Sequence, residues 1–375
     1  MQIIESNGQQ DIAVVTCYFN PDGYKTKRLN YDRFKERLIA AGAFLLTIEC
    51  AFNGDEFDLP EAPNTLRVRT STILWQKERL LNIAIDKLPS HVTKVAWIDC
   101  DLIFENEDWL GETSRQLDKF NVVQPFEVAV RLPRNKMEDD GAGERFIGFG
   151  ATFRQNPLSL TAKGKFTRHG HTGFAWAARR EALRYGLYDG CISGNGDHLM
   201  AHAFVGDWET ECFRSHFEDN VYYWRHFESW CQRVYPLVRS KIGYVPGKLL
   251  HLWHGESGER KYMDRNLELN AFAFDPDTDI CIGPDGCYRW NSDKPDLHRW
   301  ALRYFKSRHE DGKSLHQPTR EALIDRLVRA KDRACSPAHL SRLTEMIELI
   351  AKADSVPAAV AVTNRALGIS VVNSP

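Results

Sequence analysis

Apolar runs of strand length alternate with stretches of helical period through the first hundred residues. DIAVVTCYFNP (11–21) is a nearly continuous apolar run closed by Asn20-Pro21-Asp22-Gly23, which predicts a buried strand ending in a turn. NYDRFKERLIAAGA then sets Tyr31, Phe34 and Leu38 at helical spacing, with Asn30 as the expected cap. AFLLTIECAF (43–52) predicts a second strand. TSTILWQKERLLNIAIDKLP (70–89) predicts a helix with Leu74, Leu81, Ile85 and Leu88 on one stripe, stopped by Pro89. KVAWIDCDLIF predicts the third strand. This alternation predicts an α/β fold with a mainly parallel sheet, whose ligands bind outside the carboxyl ends of the strands.

The middle of the chain is less regular. RLPRNKMEDDGAGERFIGFG (131–150) is charged and Gly-rich, as suits a long mobile loop. HTGFAWAARREALRYG (171–186) reads as a strand feeding a helix, and DGCISGNGDHLMAHAFVGD (189–207) as a Gly-rich turn into a short helix. KIGYVPGKLLHLWHGESGERKYMDR (241–265) reads as a strand and then a loop dense in His, Glu and Arg. Beyond residue 266 the pattern weakens, although PTREALIDRLVRA and SPAHLSRLTEMIELIAKA keep a helical period. The expected organisation is a catalytic domain over 1–265 and a partly helical extension with a loosely ordered tail over 266–375.

Composition narrows the class. The 375 residues are 43% hydrophobic and 27% charged with a formal net charge of −2, an ordinary globular balance with no basic footprint for nucleic acid. The nine cysteines are odd in number and form no CxxC pair, which suits reduced thiols in a cytosol. MQIIESNGQQ has neither the cationic start nor the apolar core of a secretory signal, and LIAAGAFLLTI (38–48) is too short to span a bilayer. The expectation is a cytoplasmic protein for which peripheral membrane contact stays open.

Candidate chemistry centres on Asp99 and Asp101, in WIDCD at the end of an apolar run. In a strand, residues two apart share a side, so both charges would crowd together. Burying ionised carboxylates costs several kcal/mol unless something pairs with them, and a bound divalent cation removes that cost. Carboxylates suit Mg²⁺ or Mn²⁺. His251 and His254 of HLWHG supply candidate further ligands. A strand running through both would face them to opposite sides, so only one is expected to reach the ion. Mixed carboxylate and imidazole ligation favours Mn²⁺ over Mg²⁺. In SGNGDHL, Asp197 opens a helix, where it serves equally as a dipole-favoured cap or as a general base. In GFAWA, Trp176 serves either as core or as a stacking platform for a sugar ring.

Together, CYFNP, WIDCDLIFEN, HTGFAWA, GNGDH and HLWHG with the following Arg260, Tyr262 and Arg265 resemble nucleotide-sugar glycosyltransferases of the GT-A fold. The resemblance, over residues 10 to 265, is to the family 2-like group with a galactosyltransferase-type C-terminal part of the catalytic domain. It implies a Rossmann-like mixed sheet flanked by helices, followed here by a helical C-terminal extension. It implies a metal-dependent hexosyltransferase that moves a sugar from a nucleoside diphosphate sugar, often a UDP-sugar, to a hydroxyl of a carbohydrate or glycolipid acceptor. Such enzymes serve polysaccharide biosynthesis. By the same resemblance, Thr16, Tyr18, Asn20 and Glu49 line the base pocket, and Asp99 contacts the ribose or the metal shell. Asp101 binds the metal with His251 or His254, while Arg260, Tyr262 and Arg265 close over the diphosphate. Lys77 and Asn82 are polar donor-facing positions, and Asp197 is the base of an inverting transfer. The Asp-His of GNGDH departs from the acidic pair common in the family, and Cys17-Tyr18-Phe19 replaces its usual small polar residues.

Two other readings fit parts of this pattern. A haloacid-dehalogenase-like phosphohydrolase would use Asp99 as nucleophile, although DCDLIF lacks the Thr usual in that motif and follows two βα units. A catalytically inactive sugar- or nucleotide-binding protein could share the scaffold.

Overall fold

The computed structural model describes residues 10–157, 169–210, 213, 216–260 and 264–312, with residues 324, 328, 341 and 343–348 beyond them. The chain divides into two compact units, 1–312 and 313–375. The first carries everything described below.

A seven-stranded mixed sheet forms its centre, in the order β10-β6-β9-β4-β1-β2-β3. Its strands are β1 (Ile12–Phe19), β2 (Leu45–Phe52), β3 (Thr65–Thr70), β4 (Lys94–Ile98), β6 (Val122–Gln124), β9 (Ala175–Arg179) and β10 (Ile242–Tyr244). β4, β1, β2 and β3 are parallel, whereas β9 runs antiparallel to both β4 and β6. A second sheet of four strands has the order β5-β11-β7-β8, with β5 (Leu102–Phe104), β7 (Val128–Arg131), β8 (Glu144–Ile147) and β11 (Lys248–His251). The α/β architecture with a mixed central sheet flanked by helices is therefore the one expected.

Alternation along β1 sorts the core into two layers. Ala13, Val15 and Phe19 join one buried cluster with Leu80, Leu81 and Ala84 of α2 (Lys77–Asp86). Ile12, Val14 and Tyr18 join the other with Tyr31, Phe34 and Leu38 of α1 (Lys25–Ala40). α3 (Trp109–Leu117) adds Trp109, Leu110 and Leu117 to the second layer. The first layer also takes α5 (Gly196–Val205) and α6 (Val221–Val238), while α4 (Phe149–Gln155) contributes Phe149 to it. Residues past 266 belong to this same core: Leu269, Phe274, Ile280, Tyr288, Leu297, Trp300 and Phe305 are all buried in the first layer.

Local departures from the sequence pattern have identifiable causes. α1 begins at Lys25, so Asn30 is an interior residue and not a cap; it is buried, and its Nδ2 donates to the Trp253 carbonyl at 3.0 Å. The helix expected over 70–89 is confined to Lys77–Asp86, and Thr70 instead closes β3, the edge strand that pairs with β2. The Gly-rich stretch 131–150 is not all loop, since β8 within it pairs antiparallel with β7. KVAWIDCDLIF is not one strand but two, β4 and β5, in different sheets, and Asp99-Cys100-Asp101 makes the crossing. PTREALIDRLVRA lies almost wholly outside the described residues, as does much of SPAHLSRLTEMIELIAKA. Among the described residues no helix is long and apolar enough to cross a membrane.

Candidate functional site

Where the two sheets part, a cavity of about 390 Å³ opens at the carboxyl ends of β1 and β4. Its wall carries Cys17 and Phe19 from β1, Lys77 and Glu78 from α2, and Asp99 to Asp101 from the crossing. The 171–174 loop, Asp197 and both His251 and His254 complete that wall, together with Lys27, Arg131, Arg260, Arg265 and Arg308. The crossing is held open by the strand beside it. Asp99 N donates to the Phe174 carbonyl at 2.9 Å, and Phe174 itself sits at φ +83°, a conformation unfavourable for a bulky side chain.

Lys77, in the first turn of α2, is the hub of one half of the site. Its Nζ lies 2.6 Å from Asp99 Oδ1 and 2.8 Å from Asp197 Oδ2, and the residue is 7% exposed. Burial opposes its charge, but Asp197, Asp99 and Glu78 outweigh burial and hold the ammonium well above its ordinary pKa. Burial raises Asp197 and Asp99 above the usual carboxylate range, with Lys77 opposing. Glu78 is pushed up to about 8, again by burial first.

Asp197 is the second residue of α5, and the loop before it explains its placement. Asn195 adopts a left-handed conformation (φ +76°), and its Oδ1 accepts from the Arg265 guanidinium. At Gly196 a Cβ would lie 2.4 Å from Glu78 Oε1, so any larger residue here would have to displace the Glu78 carboxyl. Asn195 occupies the cap position, and the Asp197 carboxylate turns to Lys77.

The other half of the site converges on Asp101. β5 starts one residue after it and pairs with β11 so that Leu102 lies opposite His251, while Leu252 N donates to the Asp101 carbonyl at 2.9 Å. This pairing brings Asp101 Oδ2 to 2.9 Å from His254 Nε2 and 3.8 Å from His251 Nε2. The two Nε2 atoms are 3.1 Å apart. Only one imidazole was expected here; both reach because β11 ends at His251 and the chain turns before His254. Burial lowers both histidines well below their ordinary pKa, leaving neutral rings with lone pairs to offer. Asp101 Oδ1 is buried and has no hydrogen-bond partner among the described residues.

Further groups support this trio. Arg260 Nη2 is 2.8 Å from His254 Nε2. Behind the ring, His254 Nδ1 lies 3.8 Å from Glu310 Oε1, which in turn accepts from Arg308 Nε at 2.6 Å. Against the cost of burial, Lys27, Arg308 and other cations hold the Glu310 carboxyl far below its ordinary pKa.

Several expected residues stand elsewhere. Thr16 and Tyr18 are on the face of β1 opposite Cys17 and Phe19, so neither lines the cavity. Thr16 Oγ1 donates to the Ile98 carbonyl at 2.7 Å, and the Tyr18 hydroxyl donates to Asp58. Asn20 closes its own turn by accepting from Tyr24 N at 2.9 Å. Glu49 accepts from the amides of Asp58 (2.6 Å) and Leu59 (2.9 Å). Asn82 holds the 187–189 loop through Leu187 N at 2.8 Å and Asp189 Oδ2 at 3.1 Å. Asp99, engaged by Lys77, is not among the three residues, Asp101, His251 and His254, whose ligand atoms converge.

Trp176 requires correction as a sugar platform. It is 1% exposed, its Nε1 donates to the Thr172 carbonyl at 2.7 Å, and Phe149 and Phe204 pack against it. The aromatics that do line the cavity include the partly exposed Trp75 and Phe146. Tyr262 lies outside the described residues.

Sequence reasoning missed Lys27, Glu78, Arg131, His171, Arg308 and Glu310. Lys27 had a usable signal, since it follows the first strand's turn, where an α/β sheet receives its ligand. Arg308 and Glu310 had none, because they come from the stretch with no readable motif.

No protein-family model matches the chain, and no curated protein sequence is significantly similar to it. Among solved structures, the catalytic domain of Drosophila beta1,4-galactosyltransferase 7 in complex with xylobiose is similar at 12% identity and a TM-score of 0.30, over 53% of this chain and 62% of that one. This chain thus spans less than two thirds of the fly domain. A candidate nucleotide-diphospho-sugar transferase from Desulfovibrio desulfuricans G20 gives 11% identity and a TM-score of 0.33, over 71% and 97% of the two chains. A candidate glucose-1-phosphate thymidylyltransferase from Bacillus anthracis gives 10% and 0.31, over 73% and 98%.

Proposed function

We propose that this cavity binds a nucleoside diphosphate sugar and transfers its sugar to a hydroxyl of a carbohydrate or glycolipid acceptor, with a divalent cation held by Asp101, His251 and His254. The observation that carries this reading is the convergence of that trio beside Arg260, in a cavity also lined by Arg265 and Arg308. One carboxylate and two neutral imidazoles fit a cation, and the orphaned Asp101 Oδ1 is a buried acceptor for which an ion accounts. This donor set favours Mn²⁺ over Mg²⁺. Once bound, such an ion supplies Lewis-acid stabilisation to a departing diphosphate.

This chain's own residues have separable tasks in the proposed reaction. Arg260 and Arg265 grip phosphate oxygens, for which the planar guanidinium is suited. Asp197 takes the acceptor proton, and its burial-raised pKa brings it nearer the working pH, which makes it a better base than an exposed aspartate. Lys77 keeps Asp197 and Asp99 apart in charge while leaving the Asp197 side chain 18% exposed to the cavity. UDP-sugars are the first donors to try. Attack from the Asp197 side would invert the anomeric centre, and the chemistry suits polysaccharide assembly on the cytoplasmic side.

The phosphohydrolase reading fits less well, because Asp99 is clamped by Lys77 and Asp101 is taken up by imidazoles. A thermal-shift screen of nucleotide sugars with and without Mn²⁺ tests the proposal. Stabilisation needing both donor and metal, lost in Asp101→Asn, is the expected result. Metal-independent binding, or full transfer activity in Asp101→Asn, would overturn it.

A further inference from the structure

A second cluster of three histidines lies outside the trio at Asp101. His169, His198 and His202 each bring a ring nitrogen to within 4.8 Å of the other two. His198 and His202 are four residues apart on α5 and therefore share one face of the helix. His169 comes from the segment leading into the 171–174 loop. The three ring centroids are 4.8 to 5.4 Å apart, in tilted and edge-on arrangements.

From this geometry we propose a zinc site, distinct from the cavity's Asp101 trio, with His169, His198 and His202 as ligands. The proposal does not rest on the transferase reading.

Three observations point to a metal and not merely to packed aromatic rings. First, His202 is 0% exposed and its Nε2 has no hydrogen-bond partner among the described residues, although such an atom in a core normally has one. Second, its other nitrogen, Nδ1, lies 3.2 Å from Asp207 Oδ2. A carboxylate on the far side of an imidazole fixes the tautomer and turns the free Nε2 lone pair inward, the usual support for a ligating histidine. Third, His169 Nδ1 is 2.9 Å from the Gly170 carbonyl, which fixes that ring in the same sense.

Two of the three rings are held neutral. Burial first, and then the neighbouring His202, lowers His169 to about 4, and burial drives His198 well below its ordinary value. A set of imidazoles with no carboxylate among the ligands suits zinc better than manganese or magnesium. Tetrahedral ligation at the usual Zn–N length of about 2.0–2.1 Å requires the three nitrogens to close to about 3.3 Å from one another. His198 also lines the main cavity, so a water from that side can take the fourth position. Such an ion would tie the 169–174 segment to the helix that carries Asp197.

Zinc analysis of the full chain tests this, in an Asp101→Asn background that disables the other trio. After zinc loading and gel filtration, the Asp101→Asn protein is expected to hold one zinc per chain. Adding His202→Gln should cut that occupancy at least tenfold. A zinc-free Asp101→Asn protein, or an Asp101→Asn/His202→Gln protein that still holds one zinc, would overturn the proposal. Titration of the metal-stripped Asp101→Asn chain with Co²⁺ keeps the question decidable if the double variant fails to fold. A one-equivalent endpoint with the visible bands of four-coordinate cobalt supports the site, and the absence of such an endpoint refutes it.

Discussion

Replacing Lys77 with Met removes the ammonium that contacts both Asp99 and Asp197 while keeping the stem that packs in α2. The two contacts, 2.6 Å and 2.8 Å, place the carboxylate oxygens at most about 5.4 Å apart. At that separation two unit charges repel by about 3 kcal/mol for an effective dielectric of 20. The loss of stability at pH 7.5 should approach that figure, the lower end of what breaking a buried ion pair costs. Water in the cavity screens the pair and lowers this figure, whereas any separation shorter than the maximum raises it. The pH dependence follows from sign. Without the ammonium, both carboxyls have folded pKa values even further above their unfolded ones, so the folded variant binds protons more readily than the unfolded chain. Stability lost at neutral pH is therefore regained as pH falls through the raised folded values. Urea denaturation of wild type and Lys77→Met between pH 5 and 8 measures this directly. The gap in unfolding free energy should be widest at pH 8 and shrink toward pH 5. A gap that is absent, or constant with pH, would show that Lys77 does not neutralise this pair. Under the proposed chemistry the same variant also loses turnover, because Lys77 no longer holds the Asp197 carboxylate in place.

Trp176→Ala should cost about 3–5 kcal/mol of stability as a core cavity, whereas a sugar platform would lose substrate affinity with little change in the melting curve. His216 is 4% exposed, and burial first and then Arg265 lower its pKa from 6.5 to about 3. Between those values the unfolded chain takes a proton that the folded chain refuses, so this residue removes about 1.4 kcal/mol of stability per pH unit as pH falls. His216→Gln should flatten the stability-versus-pH slope below 6.5 by that amount, and parallel slopes would contradict it. Gly196→Ala forces a Cβ against the Glu78 carboxyl and should cost about 1–3 kcal/mol; a neutral urea midpoint would mean that α5 and α2 separate freely.

Elements with strong period were legible, and side-chain direction was not. β1, β2 and the start of α5 lie where the apolar runs put them. Yet choosing Thr16 and Tyr18 over Cys17 and Phe19 required knowing which face of β1 meets the cavity, and a largely apolar strand buried on both faces carries no such mark. Trp176 failed for the same reason, since ALA-TRP-ALA within a central strand reads alike for a platform and for a core ring. Glu310 and Arg308 reach His254 only through tertiary packing. The His198–His202 pair, by contrast, was in plain view as HLMAH within a helical stretch, a spacing that places two imidazoles on one face.

The crossing at Asp99-Cys100-Asp101 shows why the motif was found but its arrangement was not. A continuous strand through 94–104 would have set both carboxylates on one side, facing a single ion. The actual chain leaves the seven-stranded sheet at Ile98 and joins the four-stranded one at Leu102. That break frees the intervening backbone from ladder pairing, and the two side chains part. Asp99 meets the ammonium of α2, and Asp101 meets the imidazoles that β11 brings alongside β5. The charge problem posed by two neighbouring half-buried carboxylates is thus met twice, once by a fixed lysine and once by a set of ligands that fits a cation. If so, the two aspartates should be energetically distinct: Asp101→Asn should change the response to Mn²⁺, whereas Asp99→Asn should change the pH response of Asp197 through Lys77. Identical phenotypes in the two variants would mean that both carboxylates serve one ion after all.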